Sequence, residues 1–179
     1  MGFRLNSENS IESIKNLKWK EIRDYVFIVI AVILIRSFIM TPALVNGSSM
    51  DDTLKDGQLV ILNKLVYRVK DINRFDIVVV KNYEGNDKII KRVIGLPNET
   101  IEYKDNKLYI NDYLVEVDFK YKDTSDFKVT TGDGEYFVMG DNRPVSKDSR
   151  MLGSFKKSEI LGKVTIRLFP FNKIGKIDK

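Results

Sequence analysis

The stretch KIIKRVIGLP, Lys88 to Pro97, decides how the chain is read. It is short, rich in β-branched residues and closed by Gly95 and Pro97, which marks it as a strand. Alternate side chains of a strand share a face, so Lys91 points with Ile89 and Val93 and away from Arg92. One of the Lys91–Arg92 pair then faces in and the other out, and periodicity does not say which. Segments of the same texture recur from Val45 onward: QLVILNK, DIVVVKN, KLYIND, YLVEVDF, EYFVMG and KVTIRLFP, punctuated by Gly, Asn and Asp. The predicted fold is mainly β, an antiparallel or mixed sheet behind one N-terminal helix. YKDNKLYINDYLVEVDF reads as a hairpin or meander turning at Asn111-Asp112. Asp123 to Tyr136 is polar and turn-rich and reads as a surface connection. Residues 105–133 form either a small lobe or a hairpin insertion. No repeat of 20–50 residues appears, which excludes a solenoid or propeller.

The 179 residues suffice for one domain with a core of its own. An apolar share of 43% and a charged share of 31% are those of a folded chain. The net charge of +5 is mild and the charges are interspersed, so they read as a solvated surface. No basic cluster with stacking aromatics appears, and no nucleic-acid partner is expected. The chain has neither cysteine nor histidine. That removes disulfides, thiol nucleophiles and thiolate or imidazole metal sites together. No oxygen-ligand cluster stands out either, so no metal or cofactor is expected.

Tyr25 to Met40, YVFIVIAVILIRSFIM, is the strongest organisational signal. It approaches the roughly 20 residues that cross a bilayer, provided Arg36 lies near one end and snorkels. Lys15, Lys18, Lys20 and Arg23 precede it and hold the N-terminus in the cytoplasm by the positive-inside rule. A buried core helix would show a polar face, and a cleaved signal would show a small-x-small site; MTPALVNG is a poor match. The chain is therefore divided into a cytoplasmic tail at 1–24, a single-pass signal anchor at 25–40 in the cell membrane, and an extracytoplasmic β-rich domain at 41–179. Ile14, Leu17 and Trp19 lie near helical spacing, so the helix begins early or lies on the membrane surface.

VNGSSMDDTL, Val45 to Leu54, places Ser48 and Ser49 after a glycine, a setting that suits a nucleophile. Without histidine the base has to be another group, and lysine is the known substitute. A lysine accepts a proton only when burial destabilises its ammonium, which lowers its pKa by roughly 3–5 units at most. Lys91 is the lysine flanked by Ile89, Ile90, Val93 and Ile94. Arginine cannot act as base, so this chemistry requires Lys91 to be the inward member of its pair. A third stretch, GDNRPVSKDSRMLG from Gly140 to Gly153, packs acids, arginines and serines between two glycines. A hydroxyl there can orient a buried amine without restoring its charge, and an Asp–Arg pair can pin the loop.

These three stretches, in this order behind an apolar run, resemble the type I signal peptidases, membrane-bound serine proteases with a Ser/Lys dyad. The serine motif, roughly S-M-x-P-T-L, is read at Ser49-Met50-Asp51-Asp52-Thr53-Leu54. The lysine motif K-R-V-x-G-x-P-G-D is read from Lys91 to Glu99, with Asn98-Glu99 in place of Gly-Asp. The third, G-D-N-R-x-x-S-x-D-S-R, is intact from Gly140 to Arg150. Gln58 stands where the family usually has Asp, Asp52 where it has proline, and Gly47 where some members carry an oxyanion-stabilising serine. Loss of the proline is expected to loosen the turn after the nucleophile. The resemblance implies a signal-peptidase-like β-sheet catalytic domain, Ser49 as nucleophile and Lys91 as general base. It implies that Ser146 orients the amine, that Asp148 and Arg150 support the site, and that the Ser49 amide stabilises the oxyanion with help from the Ser48 hydroxyl. It also implies shallow pockets near Met50, Leu54 and Ile90 that select small residues in an A-x-A-like context. The partners would be secretory preproteins bearing signal peptides, and membrane lipid; the chain is expected to be a monomer.

Two other readings share these residues. Self-cleaving repressors of the DNA-damage response combine a similar β fold with a Ser/Lys dyad, but they are soluble, and the apolar run speaks against them. A membrane-tethered β-rich binding or assembly module with inert serines has the same composition but no need of the three motifs together.

Overall fold

The structure is a computed structural model in which residues 19–33, 40–81 and 87–177 are described. Residues 19–33 form a helix, α1, whose apolar side chains are exposed all round. Fifteen residues of α-helix span about 22 Å, short of a bilayer's apolar core. Among the described residues no helix is long and apolar enough to cross a membrane. The expected anchor at 25–40 falls partly on 34–39, outside the described residues, and its last residue belongs elsewhere, because Met40 opens the first strand.

From Met40 the chain forms a compact unit of its own. Its strands are β1 (Met40–Leu44), β2 (Leu59–Asn63), β3 (Ile77–Lys81), β4 (Lys88–Gly95), β5 (Thr100–Lys104), β6 (Lys107–Ile110), β7 (Tyr113–Val115), β8 (Phe127–Thr130), β9 (Glu135–Met139), β10 (Phe155–Lys156), β11 (Ile160–Phe169) and β12 (Gly175–Lys176). Two short helices, α2 (Val66–Val69) and α3 (Ser149–Leu152), interrupt them. The large sheet runs β1-β2-β11-β3-β4-β9-β10, with β12 added to β11; the small sheet runs β7-β6-β5-β8. Every described pairing is antiparallel. β11 is bulged three times along its length, and each bulge adds local twist.

The run IVVV in β3 is buried throughout because both faces of the large sheet are covered. Ile77 and Val79 pack with Val60, Leu62 and Val164, whereas Val78 and Val80 pack with Val93, Val138 and Phe155. A third cluster joins the sheets, with Ile94, Phe137 and Met139 of the large one against Ile101, Tyr103 and Leu108 of the small one. Residues 105–133 supply three of the small sheet's four strands within the same unit. Two segments differ from expectation. Phe127–Thr130, read as part of a surface connection, pairs with β5, its alternate residues Phe127 and Val129 reaching the shared core. YLVEVDF keeps only Tyr113–Val115 as strand.

Candidate active site

Ser49 lies in the turn between β1 and β2. The Val45 amide donates to the Gln58 carbonyl (2.8 Å) and the Gly57 amide to the Val45 carbonyl (2.9 Å), closing the base of the turn. Within it the Gly47 amide donates to Asp56 Oδ1 at 2.7 Å, and Gly47 sits at φ +88°, a region that favours glycine. Met50 and Leu54 anchor the turn in the core. The Asn142 amide donates to the Ser49 carbonyl at 3.0 Å, and Asn142 Nδ2 to the Ser48 carbonyl at 3.0 Å. The Ser49 turn is thus held from below by the apolar core and from the side by the third motif.

Lys91 is 3% exposed, and its Nζ lies 2.6 Å from Ser49 Oγ. Burial pulls the amine down from 10.5 to about 8; Asp148 and Asp141 oppose that shift and Arg150 reinforces it. Lys91 is therefore an inward residue, but the expected division of the pair is overturned: Arg92 is 0% exposed. A strand with both faces covered has no outside. Arg92 is accommodated because Nε and Nη2 donate to Asp141 Oδ1 (2.9 Å) and Oδ2 (2.8 Å), Nη2 also reaches Thr53 Oγ1 (3.1 Å), and the Phe119 ring lies over its guanidinium. Thr53 Oγ1 in turn donates to Asp141 Oδ2 at 2.5 Å. One buried ion pair thereby ties β4, the Ser49 turn and the third motif together.

The ladder between β4 and β9 ends with Arg92 opposite Met139, and the chain leaves the sheet at Gly140. A Cβ at Gly140 would lie 2.3 Å from Ser146 Oγ and 2.4 Å from the Ser49 carbonyl, so only glycine admits both groups. Ser146 Oγ is buried and has no hydrogen-bond partner among the described residues. The structure brings it to the site but shows no bond from it to Lys91. Arg150 Nε and Nη2 grip Asp148 Oδ1 and Oδ2, each at 2.9 Å, and Nη2 also donates to the Arg143 carbonyl (2.6 Å). Asp148 Oδ2 accepts the Gly140 amide at 3.1 Å. The two together fix the path of the loop.

A narrow cleft of about 80 Å³ beside Ser49 and Lys91 is lined by Val45, Met50 and Ile90 among others. It adjoins a wider groove between β1 and the start of β4, the two sharing Leu44, Asn46, Lys88, Ile89 and Ile90. Leu54, expected near the pockets, is 0% exposed and packs in the core instead. The Ser48 side chain is exposed, and the residue serves the site through its carbonyl. Sequence reading assigned no role to Thr53, Asp141, Asn142 or Arg143. The signal was present in the charge density of the third stretch, but pairing partners 39 to 94 residues apart cannot be read from spacing.

Asp52 replaces the motif's proline and adopts φ +84°. Proline is locked near −65°, so the turn has a conformation that the family residue cannot take, rather than a looser version of the same one. Asp52→Pro is expected to destabilise the chain by more than about 1 kcal/mol, while Asp52→Gly keeps stability and cleavage. Thermal unfolding of both variants checks this; an unchanged midpoint for Asp52→Pro would refute it.

A serine hydroxyl 2.6 Å from a buried amine on a β scaffold is an arrangement that nucleophilic hydrolysis can use. Residues 18–169 match the family model "Signal peptidase, peptidase S26". The chain is 39% identical over 177 residues to a signal peptidase I of Bacillus licheniformis, covering 92% of this chain and 95% of the relative. It is 34% identical over 207 residues to a signal peptidase I of Streptococcus pneumoniae serotype 4, covering 92% and 99%. The crystal structure of a signal peptidase I from Enterococcus faecalis V583 superposes on 54% of this chain and 99% of its own, with a TM-score of 0.50 and 37% identity. The chain belongs to the signal peptidase family, and it is a serine endopeptidase.

Proposed function

We propose that the protein removes signal peptides from secretory preproteins, with Ser49 as nucleophile and Lys91 as general base. The observation that carries this is the 2.6 Å separation of Ser49 Oγ and Lys91 Nζ at an amine that burial has made weakly basic. The neutral amine accepts the Ser49 proton as Oγ attacks the scissile carbonyl. The resulting ammonium protonates the leaving amine. The freed amine then takes a proton from the water that hydrolyses the acyl-enzyme. Once Oγ is acylated, the Ser146 hydroxyl orients the amine; its burial without a hydrogen-bond partner among the described residues supports this role. The Ser49 amide supplies the oxyanion donor, since Gly47 carries no hydroxyl.

The substrate lies extended in the groove between β1 and β4, where main-chain pairing holds it and side-chain pockets select it. The small volume of the cleft at Ser49 supports cleavage after small residues, in an A-x-A-like context. The apolar run at 25–40, of which 34–39 lie outside the described residues, anchors the chain in the membrane, tail inside and β domain outside, so that the site meets translocated chains where they emerge. The test is cleavage of a purified preprotein, wild type beside Ser49→Ala, with product masses read by mass spectrometry. Wild type is expected to cut once, with small residues at the first and third positions before the bond. Ser49→Ala is expected to leave the preprotein whole, and retained cleavage would overturn the assignment.

A further inference from the structure

The segment 116–126, which carries the chain from β7 to β8, does no chemistry in the mechanism above. Its alternate residues Val117, Phe119 and Tyr121 nevertheless pack on the core between the sheets. Phe119 lies edge-on to Phe75, with centroids 5.2 Å apart. The Tyr121 hydroxyl donates to the Asn106 carbonyl (2.8 Å), and the Lys122 amide donates to the Asp141 carbonyl (2.9 Å). The segment is therefore fastened to the small sheet at one point and to the third motif at another.

What the two rings cover sets them apart from other core aromatics. The Arg92 guanidinium lies 3.8 Å from the Phe119 centroid. The Arg143 guanidinium lies 4.4 Å from the Tyr121 centroid and 4.7 Å from that of Tyr103. Arg143 is buried, and among the described residues it has no carboxylate partner. Its Nη1 and Nη2 donate only to the hydroxyls of Thr124 (2.5 Å) and Tyr103 (2.8 Å), and its Nε has no acceptor. A buried cation without a counter-ion is costly, and ring faces are what this structure offers to offset it. Both arginines adjoin the chemistry: Arg92 follows Lys91, and the Arg143 carbonyl receives Arg150.

We propose that Phe119 and Tyr121 are positioning residues for the cleavage reaction, holding Arg92, Arg143 and the 140–146 segment in place against Lys91 and Ser49. The proposal rests on the roles given to Ser49 and Lys91 above. The Lys91 amine is faced by Asp148 and Asp141, which favour its ammonium, by Arg150, which disfavours it, and by the Ser49 hydroxyl; Lys88 lines the same cleft, and Arg92 acts on the amine only through Asp141, whose charge it matches. With its ring cover in place the Arg92–Asp141 pair stays dry and the Asp141 charge stays matched. Without it the pair hydrates, Arg92 can turn away, and Lys91 feels Asp141 and water. Both changes make the amine more basic.

The experiment measures kcat/KM against pH for the full-length, detergent-solubilised chain on a fluorogenic peptide containing Ala-x-Ala. Phe119→Leu, which keeps apolar volume but removes the ring, is expected to move the acid limb upward by about half to one pH unit. That lowers kcat/KM about 3- to 10-fold at pH 7 and lets it recover at alkaline pH. Phe119→Trp, which keeps a ring face, should hold the limb in place. A purely structural ring would lower the thermal midpoint and scale activity equally at every pH; an unmoved limb in Phe119→Leu overturns the proposal. Should that variant not fold, Tyr121→Leu carries the same test through Arg143. Cleavage retained by Ser49→Ala or Lys91→Arg would instead sink the reading of the site, whatever the limb does.

Discussion

Lys91→Arg is expected to reduce kcat/KM for a preprotein on the order of 10⁴-fold or more, although the substitution conserves charge and approximate length. Guanidinium stays protonated at every pH a protein survives, so it cannot take the Ser49 proton. Lys91, the proposed base, differs in that burial pulls its amine down to about 8. At pH 7 about one amine in ten is neutral, and below that the active fraction falls about tenfold per pH unit. The kcat/KM profile of the wild type should therefore show an acid limb with its midpoint near 8. In the substrate complex the groove is closed by the bound strand, and the kcat limb should lie lower, because further desolvation disfavours the ammonium. Lys91→Met separates chemistry from folding. A basic group with a lowered pKa costs stability fully below its folded value, and that cost fades as pH rises toward the unfolded value of 10.5. Removing the amine should leave Lys91→Met at least as stable as wild type at pH 7, yet inactive. A wild-type profile flat from pH 6 to 9, or measurable turnover by Lys91→Arg, would take lysine out of the mechanism.

The largest effect on stability is expected from Asp141→Ala. It leaves Arg92 with no carboxylate in a site that is 0% exposed to solvent. Breaking one side of a buried pair costs about 3–5 kcal/mol. For a unit of this size, that lowers the thermal midpoint by roughly 6–20 °C. Activity should fall with it, because Thr53 loses its acceptor and the Ser49 turn loses a tie to the third motif. The double variant Arg92→Met, Asp141→Leu should recover much of the stability, since the cost lies in the orphaned charge rather than in the missing attraction. It should recover less of the activity. Equal losses in single and double variants, read by thermal unfolding, would show that the pair carries no special burden.

Much of this architecture was legible along the chain. β3, β4, β9 and β11 announce themselves as short apolar runs between turn residues, because strand burial leaves a local signature. β1 and β8 do not. MTPAL follows directly on an apolar run and carries a proline, and FKVT sits in a polar context, so their partners rather than their composition make them strands. Elimination reached Lys91 as a candidate base, from a chain with no histidine, no cysteine and a lysine embedded in isoleucine and valine, but it left Ser48 and Ser49 equal; only the resemblance of the three motifs to the signal peptidases favoured Ser49.

What residue order settled was the inventory: which groups are available for chemistry, and which runs must leave water. Folding settled the neighbours. Period two offers two faces but cannot say that both are roofed, so the chain alone could not tell that Arg92 is as dry as Lys91. Contacts across 39 to 94 positions depend on which strands meet, and that is fixed by how several apolar faces are buried at once. The basicity of Lys91 belongs to the same category, because solvent exclusion around an amine is made by neighbours that the surrounding ten residues do not contain.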